Sequence, residues 1–354
     1  MNFKIGKKVI SENSPTYFIA DIASNHDGNL QRAKELISLA REAGADGVKF
    51  QHFTADKIVS KHGFERLGGQ LSHQNTWKKS VYDVYQDASI SREWTMELKE
   101  HCDKEWIDFF SSPYDLEAIE HLNPYVSVYK IGSGEITWPE ILEAMAKKGK
   151  PLILSTGAAT LEDVMRAINV ITPINKQLAL LQCNTNYTGS LENFKYVSLN
   201  VLKLYKNLFP DMILGLSDHT PHHAAVLGAV TLGARIIEKH FTDDNNRLGP
   251  DHSFSLNPIT WKEMVLRTRE LEDSFGNNMK IIEGNENETV IVQQRCVRAA
   301  VPLAQGELIT REKLTVLRPA KPEAIKPYEI SRIIGLRVNQ AVNVGDEITW
   351  ALFK

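Results

Sequence analysis

Residues 212–240, MILGLSDHTPHHAAVLGAVTLGARIIEKH, predict an apolar strand, a helix and a second apolar strand. The helix is short, so we expect the two strands to pair in parallel, with their C-terminal ends side by side and about 5 Å apart. His219 and His240 would then project from the same rim, where two neutral imidazoles can hold a divalent metal that keeps open positions. A single histidine there would more simply cap its strand, so the metal interpretation depends on the pair.

The same strand-and-helix unit recurs as far as residue 276, which is typical of a (β/α)8 TIM barrel. Strands are predicted at residues 17–23, 47–51, 107–111, 127–131, 152–155, 178–183, 212–216 and 235–239. Helices are predicted at residues 30–43, 92–104, 116–122, 139–148, 161–171, 199–209, 221–232 and 260–275. The alternative is an open doubly wound sheet, but no glycine-rich dinucleotide motif follows the first strand, and the number of units suits closure.

Several segments depart from this repeat. Residues 3–10 predict a hairpin that plugs the bottom of the barrel, and residues 53–89 form a long polar insertion on the side where barrels carry their active sites. Residues 277–289 are polar and predict a linker, which leaves a barrel domain at 1–276 and a small β-rich domain at 290–354. A domain that small often relies on a partner for stability.

The composition argues against several classes of protein. The 354 residues carry a formal net charge of −3 without a basic stripe, which argues against a nucleic-acid partner. No stretch is long and apolar enough to predict a membrane span, and residues 1–14 lack the apolar core of a signal peptide. Cys102, Cys183 and Cys296 are widely spaced, which indicates a reducing, cytoplasmic location.

Two lysines lie within apolar runs at the predicted rim, Lys49 in GVKFQ and Lys130 in VYKIGSG. A buried lysine requires an anionic partner. That partner is either a neighbouring carboxylate, such as Asp21 or Glu135, or a bound anion. Other polar side chains at the same rim are those of Asn25, His26, Gln51, Ser111, Ser112, Ser133, Ser155, Thr156, Thr185, Asn186, Tyr187, Ser217, Asp218 and Glu238.

Serine hydroxyls at the strand ends could complete an anion site. Ser112, Ser133, Ser155 and Ser217 can each donate one hydrogen bond to a phosphate or carboxylate oxygen, although any one of them alone would more simply cap a strand. An anion cradle beside a metal suits a small phosphorylated acid that reacts with a carbonyl compound. The metal would polarise the carbonyl oxygen, and the lysines would neutralise phosphate and carboxylate charge.

Motifs in a fixed order give the chain a resemblance to a known family. They are IADIASNHDG (19–28), GADGVKFQ (44–51), YKIGSGE (129–135), LSTG (154–157), GLSDHT (215–220), IEKHFT (237–242) and GPDHSFSLNP (249–258). Along nearly its whole length the chain resembles the sialic acid synthases, which are nonulosonate synthases. Residues 314–320, LTVLRPA, resemble part of that family's C-terminal antifreeze-like (SAF) domain.

The resemblance implies condensation of phosphoenolpyruvate with an N-acylated hexosamine, in the first instance N-acetylmannosamine, to give a sialic acid-type 2-keto sugar acid and phosphate. The open-chain aldehyde is held on a divalent metal, expected to be Mn2+, with Mg2+ or Co2+ as alternatives. C3 of phosphoenolpyruvate attacks the aldehyde, water adds at C2, and phosphate leaves by C–O cleavage. A legionaminate or pseudaminate synthase, which acts on a diacetamido-trideoxyhexose, is an alternative. SGE favours the neuraminate and legionaminate types, whereas SNHDG and FSSP favour pseudaminate.

The resemblance also implies roles for individual residues. His219 and His240 match the metal ligands, and Asp21, Lys49 and Lys130 are the expected catalytic residues. The phosphoenolpyruvate site is matched by Lys49, Ser112, Lys130, Ser133, Ser155 and Ser217. The remaining expected substrate-binding residues are Gln51, Glu135, Thr185, Tyr187 and Asp251. Arg318 matches an arginine that reaches the sugar's N-acyl group from the partner subunit, because the family is a homodimer with swapped SAF domains.

Some positions depart from the family pattern. Asp21 stands where many relatives have Glu, which shortens the carboxylate, and Thr185 stands where Asn or Ser is common. Residues 71–77 differ enough that no role is assigned there. A non-catalytic carbohydrate-binding barrel is the alternative of another class, but sugar binding alone requires neither the histidine pair nor the lysine pair.

Overall fold

The protein divides into two compact units, Met1–Phe275 and Gly276–Lys354. The structure is a computed structural model that describes residues 2–353, with the backbone alone at Thr76. No helix within that range is long and apolar enough to cross a membrane.

Parallel strands build the first unit, and eight of them are found in the described range. They are β3 (Tyr17–Asp21), β4 (Gly47–His52), β5 (Asp108–Pro113), β6 (Tyr129–Ile131), β7 (Leu152–Ser155), β8 (Leu178–Cys183), β9 (Ile213–Asp218) and β10 (Ala234–His240). The strand order is β5-β4-β3-β10-β9-β8-β7-β6, so the first and last strands of the repeat are hydrogen-bonded neighbours. That pairing curls the sheet into a near-closed barrel, which confirms the (β/α)8 prediction over the open sheet.

Helices alternate with these strands and form the outer layer. They are α1 (Leu30–Glu42), α2 (Ala55–Ile58), α3 (Lys61–Arg66), α4 (Val81–Ala88), α5 (Trp94–Lys104), α6 (Leu116–Leu122), α7 (Pro139–Ala146), α8 (Leu161–Ile171), α9 (Val201–Leu208), α10 (Ala224–Thr231) and α11 (Pro258–Ser274). Predicted and observed bounds differ by a few residues at most, as is usual where helix ends fray.

Helix α1 shows how the sequence forms this layer. The side chain of Asn29 caps its N-terminus by accepting a hydrogen bond from the backbone N–H of Arg32. Its buried residues are Arg32, Ala33, Leu36, Ile37 and Ala40. Leu30 falls on the same face by helical spacing but is only partly buried. Arg32 is buried instead, because its guanidinium reaches polar groups of two loops at the barrel rim.

A hairpin closes the N-terminal end of the barrel, as predicted for residues 3–10. Its strands β1 (Asn2–Ile5) and β2 (Lys8–Ser11) pair antiparallel. Phe3, Ile5 and Ile10 are buried in one cluster with interior residues of the barrel strands, such as Phe110 and Ile153. Burial of a side chain of this size contributes about 1.5–3 kcal/mol, so the hairpin is an integral part of the barrel core.

The insertion after β4 has a small core of its own. Helices α2, α3 and α4 and the 3-10 turn Ser72–Thr76 occupy it. Ala55, Val59 and Val81 are buried there, and the partly buried Ile58, Phe64, Trp77, Tyr82 and Tyr85 pack against them. Residues 53–89 therefore bury an apolar face, although their composition is polar.

The second unit is β-rich, as its sequence predicts. Strands β11 (Cys296–Ala299) and β12 (Leu314–Leu317) pair antiparallel, and isolated bridges such as Leu303↔Val342 extend the arrangement. Its core consists of Val297, Ala299, Leu303, Ile309, Leu314, Ile325, Ile333, Val338, Val342, Ile348 and Leu352. The segment expected to be a linker contains the 3-10 turn Gly284–Glu286 and the beginning of helix α12 (Asn287–Gln293), which the sequence reading missed.

Candidate active site

Two imidazoles meet where β9 and β10 end. The strands are parallel, with Ser217 opposite Glu238, and the rings of His219 and His240 have centroids 5.4 Å apart. Nδ1 of His219 donates to the carbonyl oxygen of Asn184 at 2.9 Å, so Nε2 carries the lone pair when the ring is neutral. Burial opposes protonation of this ring, but its bonds to Cys183 and Asn184 outweigh burial and raise its pKa. Burial lowers the pKa of His240 to about 3, so its ring is neutral, and its Nδ1 has no hydrogen-bond partner among the described residues.

This donor set fits a divalent metal that keeps open positions. Neutral imidazole is the commonest side-chain ligand for metals in proteins. No group of three His, Cys, Asp or Glu side chains in the described range is arranged to hold an ion. The remaining positions would therefore be filled by substrate or water.

Two buried ion pairs form the floor beneath the histidines. Lys49 Nζ lies 2.7 Å from Asp21 Oδ2, so the carboxylate partner considered for this lysine is present. Lys130 Nζ lies 3.4 Å from Glu238 Oε1 and donates to Ser155 Oγ at 2.7 Å. Its partner comes from β10, more than a hundred residues away in the chain, and not from Glu135. The floor thus alternates cations and anions within a few ångströms.

Charge and burial compete across this floor. Burial favours the neutral acid of Glu238, but Lys130 and Lys49 outweigh it and lower its pKa to about 2. Burial lowers the pKa of Lys130, which Glu238 only partly offsets. Glu135 has no such neighbour in contact, and burial raises its pKa to about 7.

Buried polar atoms without a hydrogen-bond partner mark where a ligand would be accommodated. In the described part of the site they are Ser112 Oγ, Glu135 Oε2, Glu238 Oε2 and His240 Nδ1. Such atoms are rare in folded proteins and are expected where a ligand supplies the missing bonds. Glu135, Glu238 and His240 line one cavity, which distinguishes this end of the barrel from the packed hairpin end.

The cavity above the floor has a volume of about 510 Å³, within the range of small-molecule sites. The predicted site residues that line it are Asp21, Lys49, Gln51, Lys130, Ser133, Glu135, Ser155, Thr185, Tyr187, Ser217, His219, His240 and Asp251. Ser112 is fully buried opposite Gln51 in the strand register and does not line it. Arg318 belongs to the second unit, so its role stays a prediction.

Close packing at two neighbouring strand ends requires glycine in the LSTG motif. A Cβ on Gly157 would lie 1.8 Å from Thr185 Oγ1. The backbone N–H of Gly157 instead donates to Ser133 Oγ at 3.0 Å. This hydrogen bond orders Ser133, and the missing side chain at Gly157 leaves room for Thr185.

Aromatic rings form the upper wall. Tyr187 packs against His219 with ring centroids 4.4 Å apart, and Phe254 packs against His240 at 4.9 Å. The insertion contributes Ile58, Val59, Phe64, His73, Gln74, Trp77, Val84, Tyr85 and Ala88 to the lining. The wall therefore combines rings that orient the histidines with an apolar surface from residues 53–89.

The sequence reading missed two parts of this site. Glu238 was noted at the rim without a role, yet it contacts both lysines. The available signal was its position two residues before His240, which puts both side chains on the same face of β10. The insertion residues received no role, and only the length of the insertion on the active-site side pointed to them.

Comparison with known proteins identifies the family. Residues 36–280 match the NeuB family and residues 294–354 match the SAF domain. The N,N'-diacetyllegionaminic acid synthase of Legionella pneumophila is 35% identical, over 94% of this chain and 93% of its own. Human N-acetylneuraminate-9-phosphate synthase is 31% identical, over 94% and 91%. The pseudaminic acid synthase of Campylobacter jejuni is 31% identical, over 98% and 97%.

A solved structure agrees with these matches. The N-acetylneuraminic acid synthetase of Leptospira borgpetersenii superposes with a TM-score of 0.70 at 28% identity, over 82% of this chain and 95% of that one. The chain therefore belongs to the NeuB family, with a C-terminal SAF domain. It is a transferase of the phosphoenolpyruvate-dependent nonulosonate synthases.

Proposed function

We propose that this enzyme condenses phosphoenolpyruvate with an unphosphorylated N-acylated hexosamine, in the first instance N-acetylmannosamine. The products are a nonulosonate and phosphate. The observation that carries the proposal is a pair of buried lysines, each with a carboxylate partner. They lie in the same cavity as two imidazoles that meet at the strand ends. A non-catalytic sugar-binding barrel has no need for this costly arrangement of buried charge.

Lys49 and Lys130 would bind the phosphate and carboxylate of phosphoenolpyruvate, with hydroxyl donors from Ser133 and Ser155. Ser217, which donates to Glu238 Oε1 at 3.0 Å, would join them by exchanging that hydrogen bond for one to the substrate. Each lysine is held in place by its carboxylate partner, so the two ammonium groups are already positioned to bind an anion. A divalent ion held by His219 and His240 would supply Lewis-acid polarisation of the acceptor's aldehyde oxygen. The C–C bond forms between C3 of phosphoenolpyruvate and the aldehyde carbon. Water then adds at C2, and phosphate leaves with the C2–O bond electrons.

On the acceptor side, Gln51, Tyr187 and Asp251 would bind the sugar. Asp21 would help to orient the aldehyde: it holds Lys49 at 2.7 Å and its Oδ2 lies 3.5 Å from His240 Nε2. Its side chain is shorter than the Glu of many relatives, but it still reaches both neighbours. The acceptor would thus lie between the charged floor and the aromatic wall.

The wall favours a second acceptor class, a diacetamido-trideoxyhexose. Ile58, Val59, Phe64 and Val84 line the cavity and give it apolar surface that suits the methyl group of such a sugar. Burial of one CH2 or CH3 contributes about 0.8 kcal/mol. Among the described lining residues the lysines and arginines are Lys49 and Lys130 alone, both on the floor, so the wall offers no cation to a phosphorylated sugar.

Arg318 would complete the acceptor site from the partner subunit of a homodimer. Its side chain is exposed in the second unit. The following residue, Pro319, is held through its carbonyl oxygen by Arg298 at 2.6 Å and by the Cys296 thiol at 3.2 Å. A fixed loop that presents an exposed arginine is suited to binding a group outside its own domain.

An acceptor panel tests the function. Purified enzyme with Mn2+ and phosphoenolpyruvate would be given N-acetylmannosamine, its 6-phosphate and diacetamido-trideoxyhexoses, and phosphate release and product mass would be measured. We expect phosphate release with an unphosphorylated acceptor, its loss after chelation and its return with Mn2+. His219→Ala and His240→Ala should each abolish turnover and weaken Mn2+ binding. Sugar binding without phosphate release for every acceptor would instead support the non-catalytic barrel.

A further inference from the structure

The loop after β10, residues 241–257, carries two side chains into the cavity. Asp251 lines the acceptor side, and Phe254 packs 4.9 Å from the ring of His240. Within the loop the regular structure is the 3-10 turn His252–Phe254 and an isolated bridge between Phe241 and Leu256. A loop of this kind places its side chains reproducibly only if contacts from rigid elements hold it.

Arg32, in the first turn of α1, supplies such contacts. Its guanidinium donates to both carboxylate oxygens of Asp243, at 2.8 and 2.6 Å. Its Nε donates to the carbonyl oxygen of Asn25 at 2.8 Å and lies 3.0 Å from Asp27 Oδ2. The residue is only 8% exposed. One side chain therefore joins α1, the loop after β3 and the loop after β10.

Asp27 also connects Arg32 to His252, the residue next to Asp251 in the chain. Asp27 Oδ1 lies 2.9 Å from Nε2 of the fully buried His252, and His252 Nδ1 lies 2.7 Å from Thr242 Oγ1. The packing is tight, since a Cβ on Gly249 would lie 2.6 Å from the His252 ring.

Ser24 completes the connection from the loop after β3. Its hydroxyl donates to Asp251 Oδ2 at 2.7 Å and its backbone N–H donates to the same oxygen at 3.3 Å. The two loops thus meet at the carboxylate that faces the acceptor. The network joins residues more than two hundred positions apart and involves neither the charged floor nor the phosphoenolpyruvate serines.

We propose that Arg32 and Asp243 are positioning residues for acceptor binding, because their two-point ion pair fixes the loop that presents Asp251. The inference rests on the proposed function in one respect, that Asp251 binds the acceptor. A guanidinium can hold both carboxylate oxygens at once, whereas an ammonium acts as a single point charge. Arg32→Lys keeps the charge and loses the two-point geometry, and a displacement of about 1 Å at a reacting site can cost on the order of 100-fold.

Steady-state kinetics of Arg32→Lys and Asp243→Asn test the proposal. Each should raise the acceptor KM by about 10-fold or more while the phosphoenolpyruvate KM stays within about 2-fold. Arg41→Lys is the matched control, since Arg41 lies on the same helix and donates to the carbonyl oxygen of Glu105 at 3.1 Å. The control should leave both KM values unchanged. Hydrogen exchange should be faster across residues 241–257 in the two variants and unchanged in the control.

A double-variant cycle separates positioning from a general structural role. With Asp251→Asn already present, Arg32→Lys should reduce kcat/KM for the acceptor by less than about 3-fold, because both changes act through one contact. Additive losses, equal rises in both KM values, or unchanged exchange across 241–257 would overturn the proposal. If Arg32→Lys fails to fold, Asp243→Asn carries the same comparison. Wild-type enzyme that turns over no amino sugar overturns the proposed function itself, whereas normal acceptor KM in both variants overturns only the positioning.

Discussion

At the scale of single residues, Lys130 is expected to serve substrate binding and stability through different partners. Lys130→Met removes a charged hydrogen-bonding group and should weaken phosphoenolpyruvate binding by about 1.5–3 kcal/mol, with little effect on the acceptor. It also removes the nearer lysine partner of Glu238, at 3.4 Å, and leaves Lys49 at 3.9 Å, which should lower the free energy of unfolding by up to about 3–5 kcal/mol. Adding Glu238→Gln should restore most of the stability and none of the affinity for phosphoenolpyruvate.

Calorimetric titration measures the affinity for phosphoenolpyruvate, and urea unfolding measures the stability. A double variant that regains phosphoenolpyruvate affinity, or a single variant that loses affinity for both substrates equally, would indicate a structural role.

At the scale of elements, a buried histidine joins β4 and β5 to helix α5. His52 Nδ1 lies 2.6 Å from Ser111 Oγ and its Nε2 lies 2.8 Å from Thr95 Oγ1. Burial, with a smaller contribution from His121, lowers the pKa of His52 to about 3. Below about pH 6.5, His52 takes up a proton in the unfolded chain but stays neutral in the folded chain. The contribution of neutral His52 to the free energy of unfolding is therefore complete above pH 6.5 and is lost as pH falls towards 3.

The variant His52→Gln, which can still bond to both hydroxyls, should reduce the slope of unfolding free energy between pH 6 and 4. The expected reduction is about 1.4 kcal/mol per pH unit, which corresponds to one proton. Urea unfolding at a series of pH values measures it, with the comparison at pH 8 giving the cost of the substitution itself. An identical slope in variant and wild type would show that another group is responsible.

At the scale of the whole molecule, the proposed dimer predicts complementation between two inactive variants. Arg318→Ala and His219→Ala would damage different parts of the same site, and in a mixed dimer one site would carry both changes and the other neither. After refolding at equal concentrations, about half of the dimers are mixed, so activity should recover to about a quarter of wild type. Phosphate release after co-refolding measures this, with each variant refolded alone as control. Mixed dimers that form and stay inactive would rule out a contribution of Arg318 across the subunit boundary.

The sequence by itself determined the parts of this protein that depend on local pattern. The alternation in residues 212–240 predicts two parallel strands that end in histidines, because strand and helix periods are properties of neighbouring residues. The recurring unit then predicts the barrel, and the barrel places Lys49 and Lys130 at the active-site end. The motifs around them indicated the family before any contact was known.

Only the tertiary structure decided which groups meet. Glu238 contacts Lys130 because closure of the sheet brings β10 and β6 to opposite sides of one narrow interior, and no local pattern records that distance. Arg32 is buried because the loops after β3 and β10 surround its guanidinium. Residues 53–89 form an apolar face only because their short helices pack together. In each case the contact joins residues far apart in the chain, so burial and charge at those positions follow from closure of the barrel and not from the neighbouring sequence.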